Sequence, residues 1–340
     1  MKIGIPRALL YSIYLPLWKT FLESLGHQIV MSSHTDKKIL DNGVKFCVDD
    51  ACLPIKIFHG HVMDLAHKTD AVLVPRLVSI HPEEYICPKF IGLPEMIKHS
   101  VPGSPSLLVM DYNARSGTEK AYHGMKTLGR ELGASEKLIK RALSEARIRQ
   151  AEHERRMERE KGLNPAHALD GKGMEGIIRL EQGTIGLIGH PYLVYDQFIN
   201  MDICNKLAAR GYGTVFPENI PMADIEAACK RYPKKMFWSY GKRLLGAGLT
   251  MMGDRQVDGL ILLTSFGCGI DSFVDELLVI ANRRKYKLPL TIITLDEHTG
   301  QAGFNTRLEA FIDMIEWRRR YDNYIPAHGL AVYTGKGTFR

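Results

Sequence analysis

Nowhere does the 340-residue chain approach the roughly 18 uninterrupted apolar residues of a bilayer span, its richest short runs being Val72 to Val74 and Leu260 to Leu263. A membrane protein is not expected. No GxxxxGKS or GxxxxGKT phosphate loop is present either, which argues against ATP hydrolysis through a P-loop. RRM, KH and zinc-finger patterns are missing too, so the formal charge of +7 at pH 7 permits acidic partners such as phosphates but predicts no nucleic-acid role. Six cysteines in so long a chain are too few for a disulfide framework and point instead to reactive or metal-binding thiols. At the N-terminus, Lys2 and Arg7 beside the apolar stretch 8–18 superficially match a signal peptide. Pro16 interrupts that stretch, Lys19 follows it and no small-residue cleavage site appears, so a cytoplasmic location is expected.

What is present is 45% hydrophobic and 24% charged, enough apolar material for a large core divided into two lobes. KIGIP reads as a short strand, 11–25 as a helix stopped by Gly26, and QIVM as a second strand. TIGLIGHP, a periodic stretch and TVF repeat that plan: a shift of 185 residues aligns Gly4 with Gly189, Pro6 with Pro191, Leu22 with Leu207 and Gly26 with Gly211. Further strands are expected at 45–48, 71–75, 106–111, 258–264 and 289–295. Near-continuous apolar strands alternating with helical patterns predict an α/β fold with parallel sheets covered on both faces. The expected organisation is a first α/β lobe at 1–112, a charged helical segment and linker at 113–183, and a second α/β lobe with a C-terminal helix and tail at 184–340. Residues 136–161 carry nine Lys/Arg and six Glu, with Glu145/Arg149 and Glu152/Arg156 at i,i+4 spacing, which fits a solvated helix face.

In open parallel sheets, ligands gather beyond the carboxyl ends of the strands. Cys47 and Cys52, Cys87, Cys268, and the run Asp296, Glu297, His298 all follow expected strands. Gly267 and Gly269 flank Cys268, and Pro88 follows Cys87, keeping those loops open for backbone N–H groups to approach sulfur. These are surroundings suited to cluster-binding cysteines. Cys204 and Cys229 lie in helical patterns without such neighbours and read as core packing. His59 and His61 form a His-x-His pair after Cys52, which raises a zinc site and, with it, a zinc-stabilised binding protein. Glu297 and His298 suit acid-base work in a cleft. GAGLTMMG (246–253) reads as a turn, and Thr306 with Glu309 as a capping box opening an amphipathic helix.

Taken together, GIPRALL, ACLPIKIFHGHV, YICPKFIGLPEMI, SFGCGIDSF and LDEHTGQAGFNTRLEAF resemble the activase-related, DUF2229-like branch of the 2-hydroxyacyl-CoA dehydratase superfamily, which also includes the double-cubane cluster proteins. The resemblance spans 1–112 and 184–318. It implies two flavodoxin/Rossmann-like lobes and an oxygen-sensitive iron-sulfur cluster in the cleft between them, a [4Fe-4S] cluster or, alternatively, a double-cubane [8Fe-9S]. By motif, Cys52, Cys87 and Cys268 match its ligands. Cys47 is an additional thiol that would close a cluster if it bound as a fourth. The resemblance further implies an ATP-hydrolysing activator protein as electron donor, a homodimer or a heterodimer with a related subunit, and an acyl-CoA substrate whose phosphates Arg7, Arg76 or Lys89 could meet. The expected function is a component of an ATP-driven low-potential reductase or 2-hydroxyacyl-CoA dehydratase type system, with an electron-transfer or cluster-carrier protein as the alternative.

Overall fold

In the computed structural model, residues 1–103, 105–160, 182–232, 234–253 and 257–320 are described. The first lobe is built on β1 (Lys2–Ile5), β2 (Gln28–Met31), β3 (Ala71–Ser79) and β4 (Ser106–Asn113), all parallel, in the order β2-β1-β3-β4. Its helices are α1 (Tyr11–Ser24), α2 (Lys37–Phe46), α3 (Leu53–Leu65), α4 (Pro88–Ile91), α5 (Leu93–Ser100), α6 (Thr118–Ala121), α7 (His123–Glu131) and α8 (Glu136–Arg159). The second lobe repeats the sheet with β5 (Gly183–Ile188), β6 (Tyr212–Val215), β7 (Gly259–Ser265) and β8 (Leu290–Leu295) in the order β6-β5-β7-β8, again wholly parallel. Its helices are α9 (Pro191–Val194), α10 (Ile203–Ala209), α11 (Met222–Cys229), α12 (Ser239–Gly253), α13 (Gly269–Ala281) and α14 (Gln301–Arg320). These are two Rossmann/flavodoxin-like lobes, and the 185-residue repeat is a repeat of topology. Gly26 and Gly211 both take positive φ, +91° and +79°, at the equivalent turn into β2 and β6, a conformation that costs glycine little.

The apolar runs that mark the central strands are buried throughout: Ala71 to Val74 and Leu260 to Leu262 are each 0% exposed. Pro75 is tolerated inside β3 because the pairing of β3 with β1 ends at Val72, so no ladder bond on that side needs its missing N–H. A second proline explains how α8 is anchored. Pro16 lies inside α1 and cannot donate to the carbonyl of Ser12, four residues back. His153 Nε2 donates to that carbonyl instead at 2.9 Å, and Gln150 Nε2 donates to Ile13 O at 3.0 Å. The charged helix thus has a solvated face and a buried one, running Ile139, Ala142, Leu143, Ala146, Gln150, His153 and Met157. It also reaches the second lobe, where Asn219 Nδ2 donates to Met157 O at 2.6 Å.

Three local expectations are corrected. Residues 45–48 are not a strand: Asp36 caps α2 through Ile39 N at 2.8 Å, and the helix runs to Phe46, with Cys47 ending it. The glycine-rich 246–253 is not a turn but the last half of α12. A Cβ at Gly246 would stand 2.7 Å from the Ile225 carbonyl oxygen and one at Gly248 2.7 Å from a Leu278 methyl, so these two glycines serve close packing of α12 on α11 and on α13. Thr306 does not open the final helix, which begins at Gln301; its hydroxyl donates back to Ala302 O at 3.0 Å. Most of the linker expected at 162–183, and the tail beyond 320, lie outside the described residues.

Candidate functional site

Because β1 and β3 are neighbours while their outgoing chains leave to different sides, the first lobe has a switch point beyond the ends of β1 and β3, and the second has its equivalent beyond β5 and β7. The loops at these points carry the cysteines. Cys87 follows β3 and is the N-cap residue of α4; Cys268 follows β7 and is the N-cap residue of α13. The two occupy corresponding places in the two lobes. Cys52 is the N-cap residue of α3, with Pro54 at the second helical position, where its lack of an N–H costs nothing. Cys47 and Cys52 are therefore brought near each other by the α2–α3 hairpin rather than by a strand end.

Cys52 interacts electrostatically with Cys47, with Cys87 and with Cys268. Tyr192, at the start of α9, feels Cys268, Cys52 and Cys87 together. Three half-buried thiols from both lobes thus lie within electrostatic reach of one phenol ring. Burial pushes the thiols of Cys87 and Cys268 up, and Asp271 adds to the rise at Cys268. Against this, the Cys268 sulfur accepts a hydrogen bond from Asp271 N at 3.5 Å. Burial pushes the Cys47 thiol up to about 11, with the Lys56 ammonium among the groups opposing it. Cys204 and Cys229 stand apart from this group. The first is the second residue of α10 and is pushed up by burial to about 12; the second ends α11 and donates to Lys242 O at 3.5 Å.

Glu297 lies at the same end of the cleft, but it is not a free carboxylate: its Oε1 pairs with Lys56 Nζ across the lobes. Burial pushes the carboxyl up, and the hydrogen bond and charge of Lys56 more than reverse this, leaving it below the ordinary value. His298 is exposed and donates through its backbone N to Asp296 Oδ1 at 2.9 Å. Of the basic residues considered for phosphate, Arg7 Nε donates to Ser32 O at 2.8 Å, and Arg76 pairs with Glu95 and with Asp111. Lys89 is in the short α4, directly beyond Cys87.

His59 and His61 do not form a pair. Two helical positions apart on α3, their side chains point about 200° apart around the helix axis. His59 Nδ1 bonds Ile55 O at 2.8 Å, whereas His61 bridges Ser32 Oγ at 2.8 Å and Thr35 Oγ1 at 3.1 Å. Among the described residues no three His, Cys, Asp or Glu side chains form a group that could hold a metal ion, so the zinc set of Cys52, His59 and His61 is not assembled. His61 acts in stability instead. Burial pushes it from an ordinary 6.5 down to about 3, with Asp64 opposing. The folded state therefore binds the proton less readily than the unfolded chain, and the stabilisation is complete above pH 6.5 and lost as pH falls toward 3. At about 1.4 kcal/mol per unit, the loss is on the order of 4 kcal/mol across that window. Urea midpoints measured from pH 7 to 4 should fall steeply in the parent and distinctly less steeply in His61→Gln.

Sequence reasoning missed four residues here. Tyr192 lies within electrostatic reach of the cysteines, and His190 stacks on it at 4.9 Å between centroids and 16° between planes; Asp271, beside His190, is the third. His190 Nδ1 lies 2.7 Å from Asp271 Oδ1, both side chains buried, in a close approach without hydrogen-bond geometry. Lys56 is the fourth, 3% exposed one turn inside α3. The repeat held a usable signal, because the 185-residue shift sets His190 against Ile5 and Tyr192 against Arg7. A histidine where the first lobe has an isoleucine, at equivalent strand ends, marks a buried polar side chain that needs its own partners.

Comparison with curated proteins finds no match. A family model does match, over residues 2–220, which takes in Cys47, Cys52 and Cys87 and ends before Cys268. With well over half its length matched, and with the matched part holding the entire first lobe and the opening of the second, the chain belongs to the family of the CoA enzyme activase uncharacterised domain, DUF2229.

Proposed function

We propose that this chain is an iron-sulfur protein in which Cys52, Cys87 and Cys268 hold a [4Fe-4S] cluster at the cleft, and that it serves as a component of an ATP-driven low-potential reductase or 2-hydroxyacyl-CoA dehydratase type system. The observation that carries this reading is that three thiols, two from equivalent switch points, lie within electrostatic reach of one another and of Tyr192. The donor chemistry fits: thiolates are the ligands such clusters take. Cys52 and Cys268 each open a 13-residue helix, and the backbone N–H groups there favour negative sulfur. A cluster held there would supply one-electron transfer at low potential.

The remaining residues have roles that follow from their places. Tyr192, backed by the stacked His190 ring, would supply an aromatic wall near the cluster. Lys56 supplies a buried positive charge beside Cys47, offset by Glu297 from the other lobe. On the outer side, Phe266 and Phe273 are 70% and 55% exposed on either side of Cys268, and Val48 is 61% exposed next to Cys47. Exposed aromatics around a site suit docking of a partner, here an ATP-hydrolysing donor or a second cluster-bearing subunit. The family's name as a CoA enzyme activase domain is consistent with work alongside a CoA enzyme. An acyl-CoA substrate belongs to the same proposal.

Protein purified without oxygen should be brown and contain iron and acid-labile sulfide in comparable amounts, with the colour bleaching in air. Stoichiometric zinc without sulfide would overturn the assignment. An electron-carrier reading is favoured only if Cys47 completes a four-thiolate cluster with no open iron, which failure of cyanide or added thiol to bind the reduced cluster would report.

A further inference from the structure

The α2–α3 hairpin holds two cysteines at its closed end. Its helices run antiparallel and touch along one seam: Gly60 meets the backbone of Ile39, and Gly43 meets that of Lys56, a Cβ at Gly43 standing 2.6 Å from the Lys56 carbonyl carbon. Each step along this seam is four residues on both helices, about one turn. The step after Gly43 and Lys56 is Cys47 with Cys52. Cys47 ends α2, its N donating to Gly43 O at 3.0 Å, and Cys52 is the residue from which α3 starts. Between them the chain reverses in a tight turn closed by Ala51 N donating to Val48 O at 3.0 Å.

Two residues that flank a hydrogen-bonded turn, at the end of a seam where backbones touch, meet the main requirement of a disulfide, Cα atoms about 4.4–6.8 Å apart. Both cysteines have ordinary extended backbone, Cys47 at φ −101°, ψ 157° and Cys52 at φ −67°, ψ 153°, so no strain opposes the link. Their thiols already interact electrostatically. Cys47 is 8% exposed and Cys52 half-buried, so an oxidant arriving from solvent meets Cys52 first, with Cys47 behind it. Cys87 and Cys268 reach Cys52 from loops after β3 and β7, and no such seam joins either of them to it. The three proposed ligands leave Cys47 unassigned, although its neighbour across the seam is one of them.

We infer that Cys47 and Cys52 form a reversible disulfide whenever Cys52 carries no metal, which makes the closed end of the hairpin a thiol-disulfide switch on the cysteine site. Glutathione disulfide serves as the oxidant. Cys52 Sγ gives up its proton and attacks one glutathione sulfur, and the first glutathione leaves as a thiol with that proton. Cys47 Sγ then displaces the second glutathione from Cys52, and its own proton goes to that leaving thiolate. One S–S bond forms for the one that breaks, and the two cysteines are oxidised as glutathione disulfide is reduced to two thiols. Excess thiol reverses the sequence. The bond requires nothing of the proposed cluster. Its consequence, that an oxidised hairpin withholds one of three ligands until a thiol reduces it, rests on that reading.

The test uses the full chain, reduced with dithiothreitol, stripped of metal with a ferrous-iron chelator, desalted under argon and equilibrated with glutathione buffers of graded ratio. Trypsin releases both cysteines on one peptide, 46–56 (FCVDDACLPIK), whereas Cys87 falls on 77–89 and Cys268 on 256–283. Oxidation should leave peptide 46–56 lighter by two hydrogens and closed to iodoacetamide, and dithiothreitol should restore it. Cys47→Ser and Cys52→Ser should each abolish this product, and either one decides the matter if the other does not fold. Cys204→Ser should leave its midpoint ratio unchanged. Cross-links from 46–56 to the Cys87 or Cys268 peptide in its place, glutathione adducts that never resolve, or an open dithiol at every ratio would overturn the proposal. In anaerobic protein that has not been stripped, bound iron should keep the same peptide from oxidising. Lack of that protection counts against the cluster and not against the disulfide, so the two failures are separately visible.

Discussion

Alanine at Gly43 should destabilise the protein by about 3 kcal/mol and disturb the cysteine site more than its distance from any thiol suggests. Helices α2 and α3 cross backbone to backbone. A Cβ at Gly43 would stand 2.6 Å from the carbonyl carbon of Lys56 and overlap its oxygen, and a Cβ at Gly60 would stand 2.8 Å from the carbonyl carbon of Ile39. Neither neighbour can turn aside as a flexible side chain would, so the helices must separate. That motion acts on function because α2 ends at Cys47, α3 begins after Cys52, and Lys56 carries the ion pair to Glu297. Denaturant melts should show the loss for Gly43→Ala and for Gly60→Ala. The double variant should lose less than the sum, since one separation relieves both clashes. A Gly43→Ala protein that melts like its parent would show that the hairpin is not packed this tightly.

The physics that places this hairpin also explains what was legible in the sequence. Apolar runs such as 71–74 and 260–263 state their own burial, and the Gly26/Gly211 equivalence needed only two chain stops in register, so both sheets and their repeat could be read directly. Position 45–48 could not. Its short apolar pattern suits a strand or the last turn of a helix, and the deciding facts, the Asp36 cap and the Gly43 contact with α3, are respectively upstream and tertiary. Glycines at 246 and 248 misled for the same reason, since glycine in a turn and glycine under another helix look alike until the partner is known. For the site, cysteines framed by glycine or proline pointed to loops in which Cys87 and Cys268 follow a central strand and cap the next helix. Sequence gave no hint that Glu297 would be claimed by Lys56 from the opposite lobe, or that His59 and His61 would face different neighbours. Long-range pairings between lobes leave no local pattern.

Serine at Cys52, Cys87 or Cys268 is expected to abolish the iron-sulfur chromophore or convert it to a smaller cluster, the largest effect any single substitution in this chain should have. A serine hydroxyl at these places is a poor ligand for iron-sulfur chemistry, and the cost is loss of a metal-ligand bond rather than of packing. Serine at Cys204 or Cys229 provides the contrast. Both thiols sit half-buried in helices, and neither is among the thiols that act on Tyr192, so the spectrum should persist while stability falls by about 1–3 kcal/mol for a less well satisfied hydroxyl. Cys47 discriminates between the two functional readings. It interacts with Cys52 and lies beside Lys56, whose charge favours its thiolate, yet it closes α2 instead of opening a helix toward the cleft. An unchanged spectrum in Cys47→Ser, measured anaerobically by absorption and electron paramagnetic resonance, is the expected result and leaves one iron open for chemistry. Damage equal to that of Cys52→Ser would make Cys47 the fourth ligand and turn the protein into an electron carrier, while equal damage from Cys204→Ser would remove the basis for assigning any ligand by its place at a strand or helix end.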